Sequence, residues 1–141
     1  MISALIRLGG QMPRKSWSIA AMAVLLPAQT LATAELPALS RLEKGRWQLS
    51  DPADAKAQFD SVCLGDPMRL IKLEHSDVNC SEEVVASGPN SASIHYICPG
   101  RGFGRTNIRV ETSRLVKIDT QGRANNRPFA YRVEGRRVGS C

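Results

Sequence analysis

Cys80-Ser-Glu-Glu-Val-Val-Ala-Ser-Gly-Pro-Asn-Ser-Ala-Ser-Ile-His-Tyr-Ile-Cys98 is the stretch from which the fold is read. Gly88-Pro89-Asn90 is a turn signal at its middle. Folded there, the chain opposes Cys80 to Cys98, Glu82 to Tyr96, Val84 to Ile94 and Ala86 to Ala92. That face is largely apolar and carries both sulfurs. The other face opposes Glu83 to His95 and Val85 to Ser93. Directly opposed Cβ atoms lie about 4.5–5.5 Å apart, close to disulfide reach. The stretch therefore predicts an antiparallel hairpin stapled by Cys80–Cys98. Four cysteines allow three pairings; this geometry favours the one that leaves Cys63 to Cys141, tying the chain end to an early element. Metal binding is the alternative use of the cysteines. No C-x-x-C pair exists, and neither His75 nor His95 stands at a ligand spacing from a cysteine. No metal or other cofactor is expected.

Period-two alternation continues on both sides of the hairpin. Trp47 and Leu49 share one face of a first strand, and residues 59–64 form a weaker second one. Residues 51–57 connect them. Asp66-Pro67 is a helix start, an N-cap followed by proline at the first position. It predicts one helix over 67–75, burying Met68, Leu70, Ile71 and Leu73. After a loop over 99–104, Thr106, Ile108, Val110 and Thr112 face one way, and Asn107, Arg109 and Glu111 the other. Val116, Ile118 and Thr120 repeat the pattern. Past a turn over 122–126, Phe129, Tyr131 and Val133 form a last inward row. The expected fold is mainly β: an antiparallel meander, a curved sheet or half-barrel, with one wet face, one short helix and two disulfides.

The chain has 141 residues, 43% of them in the hydrophobic set and 23% charged, which bounds it to one ordered domain. Arg7, Arg14 and Lys15 precede an apolar run over 17–26, and Ala32-Thr33-Ala34 follows. This reads as a secretory signal peptide over 1–34, cleaved after Ala34, ahead of a β-domain over 35–141. The apolar run falls short of the ~20 residues that span a bilayer. Initiation at Met12 gives a more ordinary signal than initiation at Met1, and residues 1–11 are then expected to have no packed role. An even cysteine count after such a segment places the domain in the periplasm. The formal charge of +6 suggests nucleic acid, but it is unevenly spread. Residues 35–98 hold 6 basic and 10 acidic side chains, residues 99–141 hold 10 and 3. The second segment is a basic surface on a nearly balanced domain.

Pro99-Gly-Arg-Gly-Phe-Gly-Arg105 opens like an RNA-binding strand, but Arg105 and Ile108 stand where aromatics are needed. It also lacks the Lys-Ser/Thr ending of a phosphate loop. No nucleic-acid partner is expected. The plain reading is a strand connector; the functional one is a small anion held by backbone amides with Arg101 and Arg105. Arg136 and Arg137, with Arg123, Arg127 and Arg132, are candidates for contact with an acidic partner or an anionic envelope surface. The plain reading there is a solvated face protecting a sheet edge. No catalytic constellation is legible. Neither histidine has a serine nucleophile nearby, and Glu82-Glu83 point to opposite faces.

Gly45-x-Trp47, Cys63-Leu-Gly-Asp-Pro67, Cys80…Cys98-Pro99 and the ending Arg136-Arg-Val-Gly-Ser-Cys141 together resemble one family over most of residues 40–141. It is the family of small exported bacterial proteins catalogued as domain of unknown function 3617. The resemblance implies an envelope location and disulfides, and supplies no catalytic residues. The functional expectation is a non-catalytic exported envelope protein, a small binding module for an envelope partner or a small apolar ligand. The alternative is a periplasmic enzyme, hydrolase-like, with an unrecognised site.

Overall fold

The computed structural model describes residues 35–54, 56 and 58–141. The expected signal segment, its cleavage after Ala34 and the Met12 start lie outside the described residues. Seven strands form one open antiparallel sheet: β1 (Gly45–Ser50), β2 (Gln58–Leu64), β3 (Ser81–Ser87), β4 (Ser91–Cys98), β5 (Gly102–Thr112), β6 (Leu115–Ala124) and β7 (Arg127–Gly139). The order across the sheet is β2-β1-β7-β6-β5-β4-β3. Strands β3 to β7 are the expected meander, and the β1–β2 hairpin adds to its far edge through β1 and β7. Mainly β, antiparallel, one short helix and two disulfides is the architecture observed.

Alternation decides which face is dry. Ala92, Ile94 and Tyr96 of β4 lie in rows with Ile108 and Thr106 of β5, Ile118 and Thr120 of β6, and Val133 of β7. All of these are buried. Trp47 and Leu49 extend the face onto β1, and the Trp47 indole donates to the Glu43 carbonyl at 3.0 Å. Gly104 keeps this face smooth: a Cβ there would lie 2.4 Å from the Tyr96 hydroxyl. Phe129 and Tyr131, expected inside with Val133, are only half-buried. Tyr131 packs against the margin of the core cluster, and the Phe129 ring lies 6.2 Å from His75 and 6.0 Å from Tyr131 between centroids.

Two segments cover the core face, and the helix differs from the expectation. Among the described residues the α-helix is α1 (Pro37–Ser40), which buries Ala38 and Leu39. Residues 67–75 instead make two separate 3-10 turns, Pro67–Leu70 and Leu73–His75. The start signal works as expected, since the Asp66 carboxylate accepts from the Met68 N–H at 2.9 Å. Continuation fails because the Ile71 carbonyl accepts from the buried Thr106 hydroxyl at 2.7 Å, while the His75 N–H turns to Lys72 O at 2.9 Å. The sheet takes the acceptor that an α-helix would need.

Both expected staples are present, Cys63–Cys141 and Cys80–Cys98. The hairpin register holds for Glu82↔Tyr96, Glu83↔His95 and Val84↔Ile94, then shifts to Ala86↔Ser93 and Ser87↔Ala92. Val85 is the extra residue of a bulge, so Ala86 does not oppose Ala92. The cause lies in the turn. Gly88 N–H bonds Ser91 O at 2.9 Å, which closes a two-residue loop of Pro89 and Asn90. That loop is one residue tighter than a turn centred on Pro89, and the bulge restores the facing of the two cysteines. The loop is pinned by Arg41, which donates to Asn90 Oδ1, and by Val110 N–H, which donates to Asn90 O at 2.7 Å.

Candidate functional site

The face away from the core is not flat. A groove of about 630 Å³ crosses β4 to β7, walled by Ala86, Ser87 and Gly88 at the end of β3 and by Pro52 after β1. The bulge at Val85 accounts for the first wall, since an extra residue bends and twists the strand that carries it. The exposed lining is mostly apolar. Across its floor, Ser93, Asn107, Asp119 and Arg132 form one row, and Ser91, Arg109 and Lys117 the next. Ser93 is 9% exposed. Among the described residues, its hydroxyl is the one buried side-chain oxygen or nitrogen with no hydrogen-bond partner. Buried hydroxyls take partners from protein, water or ligand.

The charges of this face are unevenly matched. Arg132 pairs with Asp119 at 2.9 Å. Arg109 and Lys117 stand directly opposite each other on β5 and β6. They share one carboxylate, Glu111, at 3.1 and 3.8 Å.

The core side carries a polar cluster that sequence reading missed. His75 is 3% exposed, with Nδ1 at 3.4 Å from the Tyr96 hydroxyl and Nε2 at 3.3 Å from the Arg101 carbonyl. Thr106 and Thr120 hydroxyls meet at 2.7 Å. Burial, with the Glu74 charge adding, pushes the Tyr96 phenol up to about 12 against a hydrogen bond with Thr120 that lowers it. Burial also raises the Tyr131 phenol, helped by its hydrogen bond to Glu74 and by the charges of Glu74 and Tyr96. Both phenols are held neutral, as donors. The bonds of His75 go to a phenol and a backbone carbonyl. The chemistry on offer is the fastening of residues 70–75 to β4, β5 and β6. A cleft of about 810 Å³ opens beside it, between β2 and residues 73–76, lined by Phe59, Tyr131, Glu74 and Arg69 among others. Its lining is as polar as it is apolar. Among the described residues no three His, Cys, Asp or Glu side chains converge as a metal set.

Of the arginines singled out from the sequence, Arg101, Arg105, Arg136 and Arg137 do not come together. β5 begins at Gly102, so the loop expected over 99–104 is shorter, and Gly102 and Gly104 are strand residues. A Cβ on Gly102 would meet Arg123 O and approach His75 Nε2 at 3.1 Å, so its glycine serves the contact with the 3-10 segment. Arg101 sits in the turn before β5, where its carbonyl accepts from Asn125 N–H at 2.9 Å. Arg105 is exposed on the outer face between His95 and Gln121. Arg136 pairs with Glu134 at 3.0 Å on the same strand. Arg137 is half-buried and donates to Lys44 O at 2.8 Å. Arg105 shares a row with Ala130, so Arg136 lies six residues, about 20 Å, further along. Two disulfides fit an oxidising, exported compartment. Among the described residues no helix is long and apolar enough to cross a membrane. No family model, curated protein or solved structure matches the chain.

Proposed function

We propose that the protein is an exported, non-catalytic binding module of the cell envelope, with a small apolar ligand held in the groove over β4 to β7. Residues 1–34 are its signal peptide, its compartment is the periplasm, and it is a member of the family catalogued as domain of unknown function 3617. The observation that carries the binding reading is the Ser93 hydroxyl, nine-tenths buried and unpartnered at the floor of a mostly apolar groove. Ligand sites combine an apolar wall with a few placed polar groups in a volume of about 300–1,000 Å³. A hydroxyl in this place takes its partner from whatever fills the groove. The cleft beside Glu74 has more volume but a lining rich in solvated charge, including Asp60, Arg69 and Glu74.

The test is titration with N-phenyl-1-naphthylamine, whose fluorescence rises in apolar sites. The wild-type protein raises it. Ser91→Trp, at an exposed position of the groove floor, abolishes the rise without lowering the melting temperature. An equal signal from Ser91→Trp, with loss in Phe59→Ser, moves the site to the other cleft and overturns the reading. Export is tested by the N-terminal sequence of protein from the periplasmic fraction, expected to begin at Glu35.

A further inference from the structure

The groove is not electrically neutral. Arg109 and Lys117 are directly opposed across β5 and β6, an arrangement that costs stability because like charges repel. One carboxylate, Glu111, serves both, and Asp119 is taken by Arg132. Two cations against one anion therefore stand on the groove floor beside the unpartnered hydroxyl. Ser93 pairs with Asn107, which makes Arg109 its diagonal neighbour, about 7–8 Å away at the Cα atoms. One oxyanion can accept from the Ser93 hydroxyl and from the Arg109 and Lys117 side chains together. The mostly apolar lining leads from that point toward Pro52 on one side and Ala86 on the other. An anion at one place and an apolar wall leading away describe an amphiphile.

Resting on the reading of this groove as the ligand site, we infer that its ligand is a single-chain anionic amphiphile. Its carboxylate or phosphate head meets Ser93, Arg109 and Lys117, and its acyl chain lies along the groove. Head and chain are recognised by different residues, so their contributions separate.

The experiment is displacement of the naphthylamine probe by dodecanoate, dodecyl phosphate and 1-dodecanol, each below its aggregation concentration. Dodecanoate or dodecyl phosphate is expected to displace the probe at a concentration about tenfold below that of dodecanol, the size of effect that two charge-assisted contacts at exposed side chains supply. The double variant Arg109→Gln/Lys117→Gln removes the gap, bringing the anions to the dodecanol value. Ser93→Ala weakens the anions more than it weakens the alcohol. Added salt narrows the gap, because Arg109 and Lys117 are 72% and 59% exposed. Tighter dodecyl phosphate identifies the head as a phospholipid type, tighter dodecanoate as a free fatty acid. Equal displacement by dodecanol and both anions overturns the inference while the groove reading stands. Failure of the probe to bind at all overturns the groove reading first.

Discussion

Tyr96 and Tyr131 are the only tyrosines of the chain, and burial raises both phenols. Unfolded, each loses its proton near pH 10. Native Tyr96 keeps it to about 12. Above pH 10 the unfolded chain therefore binds fewer protons than the native one, and stability falls as pH rises through that window; below it the contribution is complete. Absorbance at 295 nm should stay flat through pH 10 and rise only as near-ultraviolet circular dichroism is lost. A midpoint near 10 in protein that keeps its native dichroism would contradict the burial of Tyr96 and the placement of the Tyr131 phenol against Glu74. Ile118 tests burial more directly. It is 2% exposed between Ile108 and Val133, so Ile118→Asp places a carboxylate where nothing solvates or pairs it, at a cost of several kcal/mol. Gln121→Asp, on the wet face of the same strand, should change the melting temperature by no more than a degree or two. Similar melting temperatures for the two variants would refute the assignment of faces. Such burial was legible for Ile108, Val116 and Ile118 because it follows from period two. It was not legible for His75, whose partners Tyr96 and Arg101 stand 21 and 26 residues away.

The β3–β4 hairpin separates what a strand's sequence specifies from what it does not. Faces follow from alternation, and the cysteines fix the register at their own end. Loop length is not encoded so plainly: Gly88-Pro89-Asn90 suits a three-residue turn, yet the chain closes Pro89 and Asn90 between Gly88 and Ser91. The mismatch of one residue is absorbed by Val85, which is 50% exposed. Deleting one valine of the Val84-Val85 pair should leave a regular hairpin in which turn and disulfide agree. We expect Cys80–Cys98 to form and the melting temperature to change little, while naphthylamine binding weakens because the wall at Ala86 and Ser87 loses its bend. Deleting Lys117 from β6, which pairs on both sides, turns the following residues, Ile118 and Thr120 among them, to the wrong face and should unfold the domain. Free thiols in the valine deletion, or a loss of stability matching that of the Lys117 deletion, would sink this account. The 3-10 segment teaches the same limit. Its start is local and legible at Asp66, but its interruption depends on Thr106, 35 residues away from Ile71.

At the scale of the whole sheet, the meander was legible and its closure onto β1 and β2 was not. Alternation marks strands, but nothing in Gly45–Ser50 names β7 as its neighbour. The groove was hidden for the same reason, since its walls at Pro52 and at Ala86 come from opposite flanks of the strands that floor it. What the sequence did carry at this scale is the Cys63–Cys141 bond, which joins the outermost strand β2 to the chain end beyond β7. The two disulfides should then differ in weight and in place. On the chain-entropy account, a span of 78 residues contributes about 4.5 kcal/mol and one of 18 about 3.2 kcal/mol. Cys63→Ser/Cys141→Ser should thus lower the urea midpoint more than Cys80→Ser/Cys98→Ser. Because β1 and β2 meet the rest of the sheet only along β7, their amides should exchange faster in the first variant, while those of β5 and β6 stay protected. In the second variant the faster exchange should be confined to β3, the opposite edge. A larger loss from the Cys80–Cys98 pair would show that local stapling of the hairpin, and not closure of the long span, holds this fold.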